Sequence, residues 1–327
     1  MKPDPWRVRA AGRVFWLGAA LLLLLAACTD VRPVAKIGLI APFEGLYRRS
    51  GYVALDAARA AMTDAPASTT ALIPLALDGS ADPHRAAQKL RIDPAVRAVV
   101  GPLAPAQAAA AGAALRDAGV AWFVPYAVDP AGGFADPLTS DAWATGLVAA
   151  AGKAAAGQGA RRLLLAGDAT GWPALAPAAW AEAAGMPVAI IDGMADDIAA
   201  IAGDEAIFWL GAPDAAADFV NLLRPHQPDL PVWIGQGGGD PVLTERAKID
   251  RKLYWLAWSN LHYNGWAAQH TPSTPAAFLV YQATQAAIDA VRGVAPTMTT
   301  PWQVELFEYG PDGVSRSFIP GQAYDGE

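Results

Sequence analysis

From Lys36 onward two hydrophobic patterns take turns along the chain. Residues 37–41, 72–77, 95–100 and 120–124 are short, almost uninterrupted apolar runs. Runs without polar alternation fit strands covered on both faces. Between the first two runs, Val53, Leu55, Ala57, Ala58, Ala61 and Met62 recur at helical spacing. Asp82-Pro83 caps a second predicted helix reaching about residue 91, and an alanine-rich third covers 106–118. The second half continues with a helix at 141–156 and strands at 161–166, 187–191, 206–210, 232–234 and 253–258. Helices are predicted at 213–223 and, without a break, at 274–291. Residues 303–309 and 314–319 flank Gly310-Pro311-Asp312-Gly313, a hairpin signal. Strand–helix alternation of this kind predicts βαβ units and parallel sheets. The segment 194–204 is short for a crossover helix, so the second half reads as trimmed.

The first interruption of the pattern carries the most chemistry. Between the strand ending at Ala41 and the following helix lie Phe43, Glu44, Tyr47, Arg48 and Arg49. Open α/β sheets bind ligands at the carboxyl ends of their strands, and this loop is at such an end. A solvated loop with extended arginines would have the same composition, so loop position alone does not decide between the two.

Length and composition narrow the picture. A chain of 327 residues fits about two domains, and 54% hydrophobic against 17% charged residues fits a globular protein. The net charge of −7 argues against a nucleic-acid partner and against electrostatic attraction to anionic lipid. Lys2, Arg7, Arg9 and Arg13 precede an apolar run at 14–27, which suits a signal peptide and is short for a membrane span. Losing that leader removes four bases and one acid and takes the formal charge to −10. Cys28 is the only cysteine, so no disulfide forms within the chain. The run Leu25-Ala26-Ala27-Cys28 resembles a bacterial lipoprotein box, which implies lipidation at Cys28, a tether over 28–35 and attachment to the membrane through that lipid.

Catalytic constellations are missing from the sequence. His84, His226, His262 and His270 form no HExxH or other tight ligand spacing, and a thiolate zinc site needs more cysteines. There is no G-x-S-x-G elbow and no phosphate loop of the G-x-x-x-x-G-K-[ST] type. The run 235–239 is glycine-rich but lacks the G-x-G-x-x-G frame, and reads as a flexible ligand-side loop. No enzyme activity, metal or cofactor is expected.

Several segments together resemble type I periplasmic ligand-binding proteins, the branched-chain amino-acid-binding branch of ABC transporter receptors. Pro42, Gly45 and Gly51 match that family's opening loop, and Asp78, Asp82 and Pro83 its D-x-x-x-D-P segment. The stretches 99–115 and 122–130 resemble its ligand-passing strand and loop and the ligand-side turn that follows. The resemblance implies an α/β fold of two doubly wound Rossmann-like lobes with a hinge. Residues 36–135 plus 260–298 would form lobe 1, and 136–259 plus 299–327 lobe 2. It implies a small molecule held between the lobes by Phe43, Glu44, Tyr47, Arg48, Leu103, Ala104, Tyr126, Ala127, Trp172 and Gln236, with Tyr47, Tyr126 and Trp172 stacking and the arginines suiting a carboxylate or similar anion. It implies an extracytoplasmic monomer serving an ABC permease, with no nucleic-acid partner. The family's amino-acid receptors hold the ligand carboxylate with hydroxyls near Leu103, Ala104, Tyr126 and Ala127. No serine or threonine stands there, so a free amino acid in the usual pose is not expected. A sensor or envelope-enzyme partner on the same fold, and an enzyme on a doubly wound fold, stay open as alternatives. On the lipoprotein reading, Cys28→Ser releases the protein from the membrane fraction or blocks its maturation. Mass spectrometry finding an unmodified mature N-terminus at another residue would exclude it.

Overall fold

The computed structural model describes residues 32–318, apart from 192–197, 199, 236, 250, 251, 272, 297, 299 and 300. Two sheets organise these residues. The first has the order β2-β1-β3-β4, from strands β1 (Val34–Ala41), β2 (Ala71–Asp78), β3 (Val96–Val100) and β4 (Ala121–Phe123), all parallel. Its helices are α1 (Arg48–Asp64), α2 (Pro83–Ile92) and α3 (Pro105–Arg116). Strand β1 starts at Val34, which pairs with Ala71, so the expected tether over 28–35 gives up its last two residues to the sheet.

The second sheet contains β5 (Arg162–Ala166), β6 (Val188–Ile191), β7 (Glu205–Trp209), β8 (Val232–Ile234), β9 (Leu253–Asn260), β10 (Trp302–Tyr309) and β11 (Ser315–Ser317). Their order is β11-β10-β9-β8-β7-β5-β6. Strands β5 to β9 pair in parallel, whereas β9–β10 and β10–β11 are antiparallel. Around it stand α4 (Ser140–Gly157), α5 (Pro177–Ala184), α6 (Pro213–Leu223) and α7 (Pro241–Arg246). All eight residues of β9 are buried, as their unbroken apolar run requires. Among the described residues no helix is long and apolar enough to cross a membrane.

The chain passes between the lobes three times. Residues 124–139 lead out of β4; the end of β9 leads through α8 (Tyr263–Ala267) to α9 (Pro275–Val291); and residues 292–301 lead back to β10. Helix α9 lies against α1 and the first sheet, and also touches β9. The crossings hold one another. The Met298 N–H donates to the Gly133 carbonyl at 3.2 Å, the Trp302 indole N–H to the Asp136 carbonyl at 2.8 Å, and the Gln303 amide to the Asn260 carbonyl at 3.2 Å. Asn260 in turn donates to the buried Gln282 of α9 at 2.7 Å. Phe134 packs edge-on against Trp302. This bundle is the hinge of the fold.

Glycine sets one critical approach. Gly51, in the first turn of α1, is buried against the backbone of Pro42, and a Cβ there would collide with the Pro42 carbonyl oxygen. A carbonyl cannot rotate aside as a side chain can, so Gly51→Ala must displace α1. Alanine is the better helix former, yet overpacking dominates, and we expect a net loss of about 1–3 kcal/mol, read from the urea midpoint at unchanged m-value.

Candidate functional site

The loop between β1 and α1 is held from below by one carboxylate. Asp78, the last residue of β2, accepts the backbone N–H groups of Phe43 at 2.8 Å and Glu44 at 3.2 Å. It also accepts the Ser80 hydroxyl. Partial burial pushes this carboxyl up, but the hydrogen bonds from Ser80, Phe43 and Glu44 outweigh it and hold Asp78 below the usual carboxylate range. Phe43 packs edge-on against Tyr52, while Glu44, Leu46 and Arg48 are exposed.

Helix α1 begins at Arg48, earlier than the sequence pattern suggests, so Arg48 and Arg49 are in its first turn, and the loop and this turn together reach the other lobe. The Tyr47 hydroxyl donates to Asp214 at 2.6 Å, in the first turn of α6 after β7. Ser50 donates to Asp240 in the loop after β8, and Arg49 pairs with Glu245 of α7 at 2.6 Å. The loop at the carboxyl end of β1 therefore faces the loops at the carboxyl ends of β7 and β8. Burial, then the bond to Asp214, push the Tyr47 hydroxyl far above its ordinary value, so it remains a donor. Burial also raises Asp240, against the pull of the Ser50 hydroxyl and the Val242 N–H, with Glu245 and Asp214 adding to the rise.

The other expected contacts are distributed differently. Leu103 is half-buried against the core, and Ala104 is the exposed N-cap position of α3, with no side-chain cap. Tyr126 is 3% exposed and packs in the core formed by α2, α3 and the first sheet. Ala127 packs instead with Trp143 and Leu147 of α4. Trp172 belongs to that second cluster. Its ring contacts Trp143, Trp180 and Phe208, and its indole N–H donates to the Leu210 carbonyl at 2.7 Å. Tyr126 and Trp172 are thus not brought together as stacking faces of one cleft. The Trp172 ring packs within its own lobe with its N–H satisfied, whereas the Tyr126 ring is buried in its own lobe with its hydroxyl unpartnered among the described residues. Gln236 and Cys28 lie outside the described residues, as does the signal-peptide segment. Two surface grooves, of about 220 Å³ beside Asp64 and Arg292 and about 590 Å³ beside Trp122 and Val294, are lined by none of these residues.

Two corrections follow. Arg49 is engaged by Glu245, so only Arg48 of the expected anion-binding pair is without a carboxylate partner among the described residues. The glycine-rich loop is tied down, not loose: Gly238 abuts Trp255, and its carbonyl accepts the Tyr309 hydroxyl at 2.6 Å. The residues that sequence reasoning missed are Ser50, Asp214, Asp240 and Glu245. Asp214 and Asp240 read in sequence as ordinary helix-start acids, and Asp240 does cap α7 through Val242. Nothing local reveals partners more than 160 positions away.

Sequence comparison gives no match to any family model. No curated protein matches either. Solved structures do. A branched-chain amino-acid transporter substrate-binding protein, LivJ, from Streptococcus pneumoniae in complex with isoleucine superposes with a TM-score of 0.67 at 15% identity, covering 87% of this chain and 99% of that one. The leucine-binding protein LivK from Thermotoga maritima gives 0.67 at 15% identity, covering 87% and 98%. A possible leucine/isoleucine/valine-binding protein from Rhodopirellula baltica gives 0.62 at 13% identity, covering 88% and 97%. The chain has the type I periplasmic binding-protein fold, two α/β lobes joined by a hinge.

The packing role of Trp172 is testable. Removing a ring that contacts three other aromatic rings should cost about 3 kcal/mol in Trp172→Ala, measured by urea unfolding. A variant as stable as the parent would show that the ring is free for another role.

Proposed function

We propose that this chain is an extracytoplasmic, lipid-anchored solute-binding protein that closes its two lobes on a small molecule and presents it to an ABC permease. The observation that carries this reading is the meeting of the β1 loop with the loops after β7 and β8. Strand carboxyl ends of two sheets face each other there, which is where such folds hold ligands. Hinge closure then sequesters the ligand between them. Phe43, Glu44, Tyr47, Arg48, Leu103 and Ala104 are the first-lobe residues proposed to face it, with Gln236 and the α6 start opposite. The ligands in the relatives' titles, isoleucine and leucine, do not transfer directly. Leu103, Ala104, Tyr126 and Ala127 offer no hydroxyl to an amino-acid carboxylate, and a buried charge without a partner costs several kcal/mol. The proposed ligand is a small molecule other than a free amino acid in that pose, bound by a chain that acts as a receptor and not as an enzyme.

A second reading keeps the fold and the anchor but drops transport: a sensor, or a partner of an envelope enzyme. The direct contacts between the lobes favour it, since they occupy hydrogen-bonding groups a ligand would use. Thermal shift across a metabolite panel separates the two. A true ligand at 100 times its dissociation constant should stabilise the fold by about 2.7 kcal/mol. A folded protein that no panel member stabilises, including branched-chain amino acids and their derivatives, would rule against the transport reading and leave the second.

A further inference from the structure

Ligand-driven closure needs the lobes to lack strong contacts of their own, so that the small molecule supplies the bridge. This protein has such contacts. Tyr47, Arg49 and Ser50 lie within four consecutive positions of lobe 1 and reach three acids of lobe 2: Asp214, Glu245 and Asp240. All donors are on one lobe and all acceptors on the other, so the three pairs pull in the same sense. We infer that these pairs form a latch that holds the lobes closed without a ligand. The inference rests on the hinged fold and the contacts themselves, not on the transport reading.

Both halves of the latch are prepared before they meet. On lobe 1, Asp78 fixes the loop backbone at Phe43 and Glu44, and Gly51 lets α1 sit directly on Pro42. The donors therefore leave a rigid corner, and little loop entropy remains to be lost on closure. On lobe 2, the second carboxylate oxygen of Asp240 accepts the Val242 N–H at 2.9 Å, which orients the group toward Ser50. Asp214 projects from the start of α6, a rigid element. The pairs also differ in kind. Arg49 and Glu245 are 65% and 41% exposed, so their attraction is weak and screened by salt. The bonds of Tyr47 and Ser50 to carboxylates are partly buried and carry the latch, because hydrogen bonds to charged groups are the stronger class.

Small-angle X-ray scattering on Cys28→Ser protein, unfolded in denaturant and refolded to strip any carried ligand, tests this. The refolded parent should scatter as the closed structure does. The variant Tyr47→Phe/Ser50→Ala should shift the closed-to-open ratio about a hundredfold toward open, since each of the two lost bonds to a carboxylate is worth about tenfold. Its radius of gyration should rise while circular dichroism stays unchanged. Asp214→Asn/Glu245→Gln, made from the other lobe, should open the protein in the same direction and guards against a folding defect in the first variant. A refolded parent that is already open, or two folded variants as compact as the parent, would overturn the latch. A parent that is closed and also stabilised by a metabolite would keep both the latch and the transport reading; a closed parent with no ligand would keep the latch alone.

Discussion

The Asp78 carboxylate under the β1 loop is the constraint on which the rest of the cleft depends. A loop of six residues with a glycine at its centre would otherwise sample many conformations, and its side chains would have no fixed direction. Two backbone N–H groups accepted by one carboxylate, and a helix seated on the Pro42 backbone, remove that freedom. Tyr47, Arg49 and Ser50 then project from a fixed corner. Because Asp78 ends β2 and the loop follows β1, the pairing of these two strands is what places anchor and loop side by side. The polar chemistry of the cleft thus follows from sheet register.

The hinge is built from a different material. Its hydrogen bonds are two from side chains to backbone carbonyls, through Trp302 and Gln303, one between the Asn260 and Gln282 side chains, and one backbone bond between the 133 and 298 segments. Bonds of this kind tolerate small rotations of the strands that carry them, whereas interdigitated apolar packing does not. The largest apolar cluster also runs through the crossing, joining Ile37 and Leu39 of the first sheet to Leu164 and Ile207 of the second, with Phe134 and Met298 among its members. The crossing is therefore held by polar bonds and by apolar packing together.

Much of the fold was legible in the sequence because apolar patterning is a local signal. The strands at 37–41, 95–100 and 206–210 and the helix at 274–291 were readable from their own residues, and the structure places an element over each. Polar partnerships were not legible. Asp214 looks like any acid at a helix start, and only the folded chain shows Tyr47 against it. Aromatic residues misled for a related reason. Trp172 and Tyr126 sit at loop positions that suggest ligand contact, but sequence does not tell which way a ring turns, and both turn into apolar clusters. The glycine run at 235–239 suggested looseness, while its glycines instead allow close approach to Trp255.

The order of strands in the second sheet has a consequence for biogenesis. Strands β10 and β11 complete that sheet from the end of the chain, and α9 covers the first sheet from nearly as late. Neither lobe can finish its core while the last quarter of the polypeptide is still being made. Both sheets therefore keep apolar surface uncovered until β10, β11 and α9 are in place. An early strand such as β1 waits for α9, a partner separated from it by much of the sequence.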